Sequence, residues 1–153
     1  MTSPEPLGDA LLGTIARLHR WASRHAEFDL PPAQARLMAQ IDELGPARIG
    51  DLADADHCSQ PTMSAQVARL EHRGWAVRTA DPADGRASLI ALSPLGRETL
   101  ARVRARRAAV VAPLIDQLPD VDRQRLVEAI AILQELAAAT TAPRSRTVAK
   151  EGL

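Results

Sequence analysis

The segment Gly50–Leu92 decides the fold of this 153-residue chain. It reads GDLADADHCSQPTMSAQVARLEHRGWAVRTADPADGRASLIAL. A brief helix is predicted over Gly50–Ala55, and a turn of about four residues follows it. Ser59 is a favourable N-cap for a second helix, Pro61 suits its first turn, and Gly74 suits its end. The segment therefore begins with two helices joined by a short turn.

The second helix is predicted to have two contrasting faces. With about 100° per residue, Met63, Val67 and Leu70 fall on one narrow stripe, which we expect to be buried. The remaining surface carries small and polar residues with one long arginine: Ser59, Gln60, Pro61, Thr62, Ser64, Ala65, Ala68, Arg69 and His72. A slim polar helix fits a major groove about 12 Å wide, but an exposed helix of an alanine-rich protein has the same pattern.

Residues typical of a β-hairpin follow the second helix. Trp75–Thr79 and Arg86–Leu92 are predicted strands, and the polar residues between them favour a turn. Arg86 places a cation at the tip, where it would enter a narrow minor groove or, alternatively, remain solvated. Asp84 is expected to orient an arginine or to fix the turn. Two helices followed by such a hairpin predict a winged helix-turn-helix.

The charges are distributed unevenly along the chain. Basic and acidic residues number 19 each, so the net charge is zero. Residues 59–107 nevertheless hold nine arginines against four acids, a net charge of +5. The segments 1–58 and 108–153 carry net charges of −4 and −1. The basic middle segment predicts a polyanionic partner for the winged helix-turn-helix.

Further helices are predicted on both sides of this segment. Leu7–Glu27 and Ala33–Leu44 carry apolar residues at helical spacing. A long helix covers about 93–118, where Pro113 is expected to bend or split it, and a last helix starts at Pro119. The predicted fold class is therefore mainly α, with about six helices and a small hairpin wing.

The terminal helices have more apolar residues than a compact winged domain is able to cover. In the later helices these are Val103, Val110, Val111, Leu114, Ile115, Leu118, Leu126, Val127, Ile130 and Leu133. Burial of a Leu or Val side chain stabilises by roughly 1.5–3 kcal/mol, so exposing several is costly. Mutual burial in a two-fold homodimer removes this cost, and a self-contained helical bundle is the alternative.

Together, these segments resemble the MarR family of bacterial transcription regulators. The resemblance rests on Gly50-Asp51-Leu52-Ala53, Ser59, Leu70–Gly74, Val77-Arg78, Asp81–Arg86 and Leu92–Gly96, and it spans about residues 8–140. It implies a homodimer that binds a pseudo-palindromic operator in double-stranded DNA, with the recognition helix in the major groove and the wing in the minor groove. The DNA contacts that it implies are Ser59, Gln60, Thr62, Ser64 and Arg69 on the helix, and Asp84 and Arg86 on the wing.

Three further residues are candidates for sensing a signal. Trp21 and His25 would line the cleft where relatives bind aromatic acids or phenols, although Trp21 also suits ordinary interface packing. Cys58 precedes the predicted N-cap, where a helix dipole favours a reactive thiol. Apolar packing between the two helices is the alternative for Cys58, because family members usually have an apolar residue there.

Several classes of protein are not expected from this sequence. It contains no glycine-rich phosphate loop and no nucleophile paired with a base, so we expect no enzyme. The lone Cys58 and the scattered histidines predict no disulfide, no metal site and no cofactor. No apolar run approaches the roughly 20 residues that span a bilayer, so a cytoplasmic location without membrane contact is expected.

The predicted organisation has four parts. These are a dimerisation helix over 1–30, a winged helix-turn-helix lobe over 31–93, dimerisation helices over 94–140 and a disordered tail over 141–153. The predicted function is a homodimeric repressor that a small aromatic or phenolic effector relieves. The alternatives are a winged-helix module for protein–protein contacts and a repressor that senses oxidants through Cys58.

Overall fold

The computed structural model describes residues 4–28 and 30–141, which form six helices and three strands. In chain order these are α1 (Pro4–His25), α2 (Pro32–Leu44), β1 (Ala47–Arg48), α3 (Ile49–Ala55), α4 (Gln60–His72), β2 (Ala76–Asp81), β3 (Asp84–Leu92), α5 (Pro94–Asp116) and α6 (Asp120–Thr141). The prediction of a mainly helical winged fold is confirmed. The tail predicted after α6 lies outside the described residues.

The ends of α4 have the predicted signals. The Thr62 backbone N–H donates to Ser59 Oγ at 3.3 Å, so Ser59 is the N-cap, and Pro61 lies in the first turn. After the helix, Gly74 adopts a φ of 72°, a conformation that glycine reaches without steric cost. In α5, by contrast, the predicted split at Pro113 is wrong. This 23-residue helix continues to Asp116, because a proline in its last turns removes only one backbone N–H.

The three strands form one antiparallel sheet with β3 in the centre. Ala47 of β1 lies opposite Ile90, and Ala76 of β2 lies opposite Leu92. The β2–β3 ladder becomes irregular between Ala80 and Asp81, at the end of the wing. Both wing strands extend further toward the tip than predicted.

The buried core lies among α2, α3, α4, the sheet and the start of α5. Its members are Leu37, Met38, Ile41, Ala47, Leu52, Ala53, Met63, Val67, Leu70, Ala76, Ile90, Leu92 and Leu100. Met63, Val67 and Leu70 are 0% exposed, which confirms the predicted stripe of α4. The core therefore holds α4 by one face and leaves the opposite face exposed.

Hydrogen bonds around Ser93 fix the start of α5 to the end of α4 and the base of the wing. The Ser93 N–H donates to the Trp75 carbonyl at 3.0 Å, and Ser93 Oγ donates to the Gly74 carbonyl at 2.5 Å. The same hydroxyl accepts the Gly96 N–H at 2.9 Å. A Cβ at Gly96 would lie 2.0 Å from the Trp75 carbonyl oxygen, so only glycine permits this approach.

The chain forms two compact units, Met1–Val111 and Ala112–Leu153. The first unit contains the whole buried core. In the second unit, none of the described residues 112–140 is buried. The domain boundaries expected near residues 30 and 93 stay predictions.

Candidate DNA-binding surface

The exposed face of α4 presents polar groups with unused hydrogen-bonding capacity. Gln60, Ser64 and Arg69 are exposed, and their side chains make no hydrogen bond to the residues that the structure describes. Ser59 and Thr62 are also exposed, but their hydroxyl oxygens lie 2.8 Å apart and bond to each other. Ser59 thus serves first as a cap, while the other side chains are available to a ligand.

The start of α4 lies close to the start of α3. A Cβ added at Gly50 would approach the Gln60 side-chain nitrogen to 3.3 Å, tighter than most such contacts. The small residue at position 50 therefore leaves room for Gln60 to lie across α3. Gln60 nevertheless stays exposed, and it lines a cleft together with residues of the wing.

The wing tip presents Arg86 at an exposed position. Its guanidinium forms no ion pair within residues 4–28 and 30–141. Its backbone N–H donates to Asp84 Oδ1 at 3.1 Å. Asp84 thus fixes the turn through the backbone and leaves the Arg86 side chain unpaired.

An ion pair between Arg48 and Asp81 joins the start of α3 to the end of β2. Arg48 Nε and Nη2 donate to Asp81 Oδ2 at 2.8 Å and 2.5 Å. The Ala83 N–H donates to the other carboxylate oxygen, Oδ1, at 2.8 Å. The Ala83 N–H and then the Arg48 guanidinium lower the pKa of Asp81, and the bond to Asp81 raises that of Arg48.

A second ion pair connects the wing to α4 itself. Arg78 of β2 donates from Nε and Nη2 to the two carboxylate oxygens of Glu71, each at 3.2 Å. This fork geometry restricts the guanidinium in two directions. The recognition helix and the wing are therefore linked by side chains as well as by the chain itself.

A cleft of about 390 Å³ lies between α3, the start of α4 and the wing. Arg48, Arg78, Arg86 and Gln60 are among its lining residues. A separate groove of about 430 Å³ between α2 and α4 is lined by Arg36, Arg69, Thr62 and other residues. The structure thus brings Gln60 and Arg86 together, and it places Thr62 and Arg69 in the second groove. Ser59, Ser64 and Asp84 line neither.

Arg48, Arg78 and Arg36 also belong to this surface and were not predicted from the sequence. Arg48 and Asp81 are 33 positions apart, and only the β1–β3 pairing brings them together. One signal was available, because Arg48 occupies the N-cap of α3, where arginine is not a favoured residue.

The two residues predicted to line an effector pocket contact each other. The Trp21 and His25 rings stack with centroids 4.6 Å apart, and His25 Nδ1 lies 2.8 Å from the Trp21 carbonyl oxygen. A cavity of about 480 Å³ lies beside another part of α1 and does not include either residue in its lining. Its lining residues are His19, Arg20, Ser23, Arg24, Phe28, Pro32, Ala33, Ala35, Arg36, Ala39 and Arg107.

This cavity contains polar atoms without partners. Arg107 Nε and Ser23 Oγ are buried and form no hydrogen bond to the described part of the chain. The Arg107 guanidinium lies 5.2 Å from the centroid of the Phe28 ring, and burial lowers the pKa of Arg107. An unpaired, partly desolvated cation beside an aromatic ring is suited to a small anion.

Cys58 is half-buried and packs against the core between α3 and α4. Its backbone N–H donates to the Ala53 carbonyl at 3.0 Å. Across the described residues, no group of three or more His, Cys, Asp or Glu side chains is arranged to hold a metal ion. None of the described helices combines the length and the apolar character needed to cross a membrane.

Comparison with known proteins finds a family resemblance in the central part of this chain. Residues 30–88 match the model of the MarR family. The uncharacterized HTH-type transcriptional regulator YxaD of Bacillus subtilis is 42% identical over 64 residues, a match that covers 42% of this chain and 45% of that relative. The chain therefore matches less than half the length of this curated relative.

Solved structures have the same fold. The transcriptional regulator Tm0710 from Thermotoga maritima is 25% identical, with a TM-score of 0.71 and coverage of 89% of this chain and 96% of that one. A MepR mutant of S. aureus, bound to an oligodeoxyribonucleotide, is 20% identical, with a TM-score of 0.60 and coverage of 84% and 96%. Together with the matching family model and the curated relative, these structures show that residues 30–88 resemble the MarR family of transcriptional regulators and that the chain has the winged-helix fold of the solved regulators.

Proposed function

We propose that this regulator is a homodimeric repressor that binds a pseudo-palindromic operator and is released by a small-molecule effector. The observation that carries the proposal is a cleft in which Gln60, an α4 side chain without a hydrogen-bond partner in the described residues, adjoins the unpaired wing residue Arg86. The net charge of +5 over residues 59–107 supports a polyanionic partner. The MepR structure with its oligodeoxyribonucleotide supports DNA as that polyanion.

The α4 and wing residues divide the recognition between two grooves. Gln60 and Ser64 supply hydrogen bonds to base edges in the major groove. Arg86 enters the adjacent minor groove, where the negative potential is strongest. Arg69 lines the groove between α2 and α4 together with Arg36, a position that suits a backbone phosphate.

Exposed apolar residues on two helices support the homodimer. In α1 they are Leu7, Leu12, Ile15 and Leu18, and in α6 they are Val121, Val127, Ile130, Ile132 and Leu136. Side chains of this size are costly to leave in water. A second copy of the chain offers the same apolar surface and pairs two recognition helices on one duplex.

The 480 Å³ cavity supports an effector that is a small aromatic or phenolic anion. Its volume falls within the usual range for small-molecule sites, roughly 300–1,000 Å³. Arg107 and Ser23 offer unused polar atoms there, and Phe28 offers an aromatic surface. Trp21 and His25 stay a prediction for the same function.

The packing of Cys58 against the core favours a structural role over oxidant sensing. If Cys58 were the sensor, peroxide would release DNA from the native protein but not from the Cys58→Ser variant. Equal release from both proteins would exclude this alternative.

Selection of duplexes from a random pool, followed by anisotropy titration at fixed salt, tests the proposed function. We expect one enriched pseudo-palindrome, and we expect Gln60→Ala to relax the base preference at one position in each half-site. Gln117→Ala, an exposed glutamine near the start of α6, is the matched control and should leave the preference unchanged. Equal binding to every duplex and to heparin would contradict the proposal, and binding to none of them would favour the protein–protein module.

A further inference from the structure

We infer that Arg48 is a positioning residue of this DNA-binding surface, which orients the wing by holding Asp81 and thereby sets where Arg86 reaches the DNA. The inference rests on the proposed function, because it assigns a role in DNA recognition to a residue outside α4 and the wing. Arg48 belongs to β1 and immediately precedes α3. It is thus a physical link between the helix-turn-helix and the wing tip.

The first support is that both carboxylate oxygens of Asp81 accept hydrogen bonds. One carboxylate oxygen accepts both Arg48 bonds, and the other accepts the Ala83 N–H. The Asp81 side chain is only 7% exposed, whereas that of Arg48 is 46% exposed. Among the described residues Arg48 is the one cation that pairs with Asp81, so without Arg48 this enclosed carboxylate has to turn toward water.

The second support is the place of this ion pair in the sheet. The regular β2–β3 ladder is interrupted between Ala80 and Asp81, so backbone pairing does not fix the tip by itself. Asp81 is the last residue of β2 and lies opposite Asp84, the residue that holds the Arg86 backbone. The Arg48 side chain therefore acts where the ladder is weakest and one contact away from Arg86.

The third support is the fixed position of Arg48 itself. Its backbone pairs with Leu89 of β3, and its N–H donates to Asp51 Oδ2 at 3.2 Å. Within the cleft that Arg48, Arg78 and Arg86 share, Arg48 and Arg78 are each paired with a carboxylate, and Arg86 is unpaired. This arrangement gives Arg48 an orienting role and leaves Arg86 to contact the DNA.

A double-mutant cycle on the selected operator tests the inference. We expect Arg48→Ala to weaken binding roughly tenfold, and we expect Arg86→Ala to cost little more in that background, because both changes remove the same wing contact. If Arg48 instead binds a phosphate directly, the two effects multiply, and the inference is wrong. Arg48→Lys keeps the cation near Asp81 and should restore part of the lost affinity.

The sign of the effect of Asp81→Asn provides a second test. Removing an acid from a DNA-facing surface strengthens binding if only net charge matters, whereas loss of wing positioning weakens it. We expect weaker binding for Asp81→Asn. Asp54→Asn removes an equal charge from an exposed position of α3 and should leave binding unchanged or slightly stronger. Stronger binding of both variants would overturn the inference.

Amide hydrogen exchange separates failure of this inference from failure of the proposed function. In Asp81→Asn and Arg48→Ala, exchange at residues 81–86 should rise, while that of α4 stays unchanged. Unchanged exchange at the wing overturns the positioning role even if no duplex is bound. Faster exchange at the wing in a protein that binds no duplex supports the orienting contact and contradicts only the proposed function.

Discussion

The helices α4 and α6 both have apolar residues at helical spacing, but they differ in where those residues are covered. Met63, Val67 and Leu70 of α4 are 0% exposed in the single chain. In α6, Val127 and Ile132 are 61% and 59% exposed. The α4 stripe is covered within the fold, whereas these α6 side chains stay exposed, which supports the proposed contact with a second copy of the chain.

This difference separates two uses of the same pattern. In α4 the covered stripe orients the helix, so that its polar face points outward as a recognition surface. In α6 the exposed apolar residues themselves form the interaction surface that we propose for the dimer. The predictions that follow test this contrast, from the largest expected effect to the smallest.

The largest expected effect is on folding through α4. Met63→Ala removes a fully buried side chain and should lower the free energy of unfolding by roughly 2–5 kcal/mol. Leu136→Ala in α6, where the side chain is 54% exposed, should change it by less than about 0.5 kcal/mol in dilute protein. Urea denaturation measures both, and equal losses would contradict the contrast between the two helices.

A charge on the apolar surface of α6 should separate the proposed dimer. Ile130→Asp introduces a carboxylate that a two-fold interface would have to desolvate, so we expect a monomeric mass in light scattering. Because each monomer then binds a half-site alone, operator affinity should fall about 100-fold. Gln117→Asp places the same charge at an exposed position before the start of α6, outside these apolar residues, and should leave both the mass and the affinity unchanged. A dimeric Ile130→Asp protein would contradict the role given to this surface.

The smallest expected effect is on the pH dependence of stability. The pKa of Asp81 is lowered by the Ala83 N–H and by Arg48, so its ionised form stabilises the folded state. That contribution is fully present above the unfolded-state pKa of about 3.9 and is lost as the pH falls toward the lower folded-state pKa. The stability difference between the native protein and Asp81→Asn should therefore be constant near neutral pH and shrink below about pH 4.

Thermal denaturation over this pH range checks the prediction. Among the described residues, the ion-pair partner of Asp122 in α6 is Arg125, three residues away on the same helix surface, so Asp122→Asn is the control. A surface pair of this kind contributes little, so the pH dependence of stability should not change. An equal response of the two variants would remove any special role for Asp81.

The sequence predicts features that depend on local pattern. The α4 stripe, its Ser59 cap and the hairpin wing follow from spacing and turn residues that are close along the chain. The contact between Arg48 and Asp81 was not predicted, because it depends on which strand β1 pairs with, and residues distant in sequence determine that pairing. Val103 was predicted to belong to the apolar residues that a single chain leaves exposed, and this prediction is wrong. Its side chain is 2% exposed, because the start of α5 packs within the chain.

The effector residues illustrate a related limit. Trp21 and His25 lie four residues apart on α1 and stack on each other, but periodicity does not indicate which part of α1 borders a cavity. The cavity depends on how α1, α2 and Arg107 come together, which involves residues distant in sequence. Arg36 and Arg69 line one groove for the same reason: the packing of α2 against α4 brings them together, and local sequence patterns do not predict that packing.

The Ser93 hydroxyl has a mechanical consequence. It bonds the residue that ends the recognition helix and the first turn of α5 at once, and Gly96 permits direct contact with the Trp75 backbone. The first turn of α5 thus has no freedom to slide past the root of the hairpin. A tilt of this end of α5 would therefore move the base of the hairpin with it, because these contacts leave no flexible segment between the two.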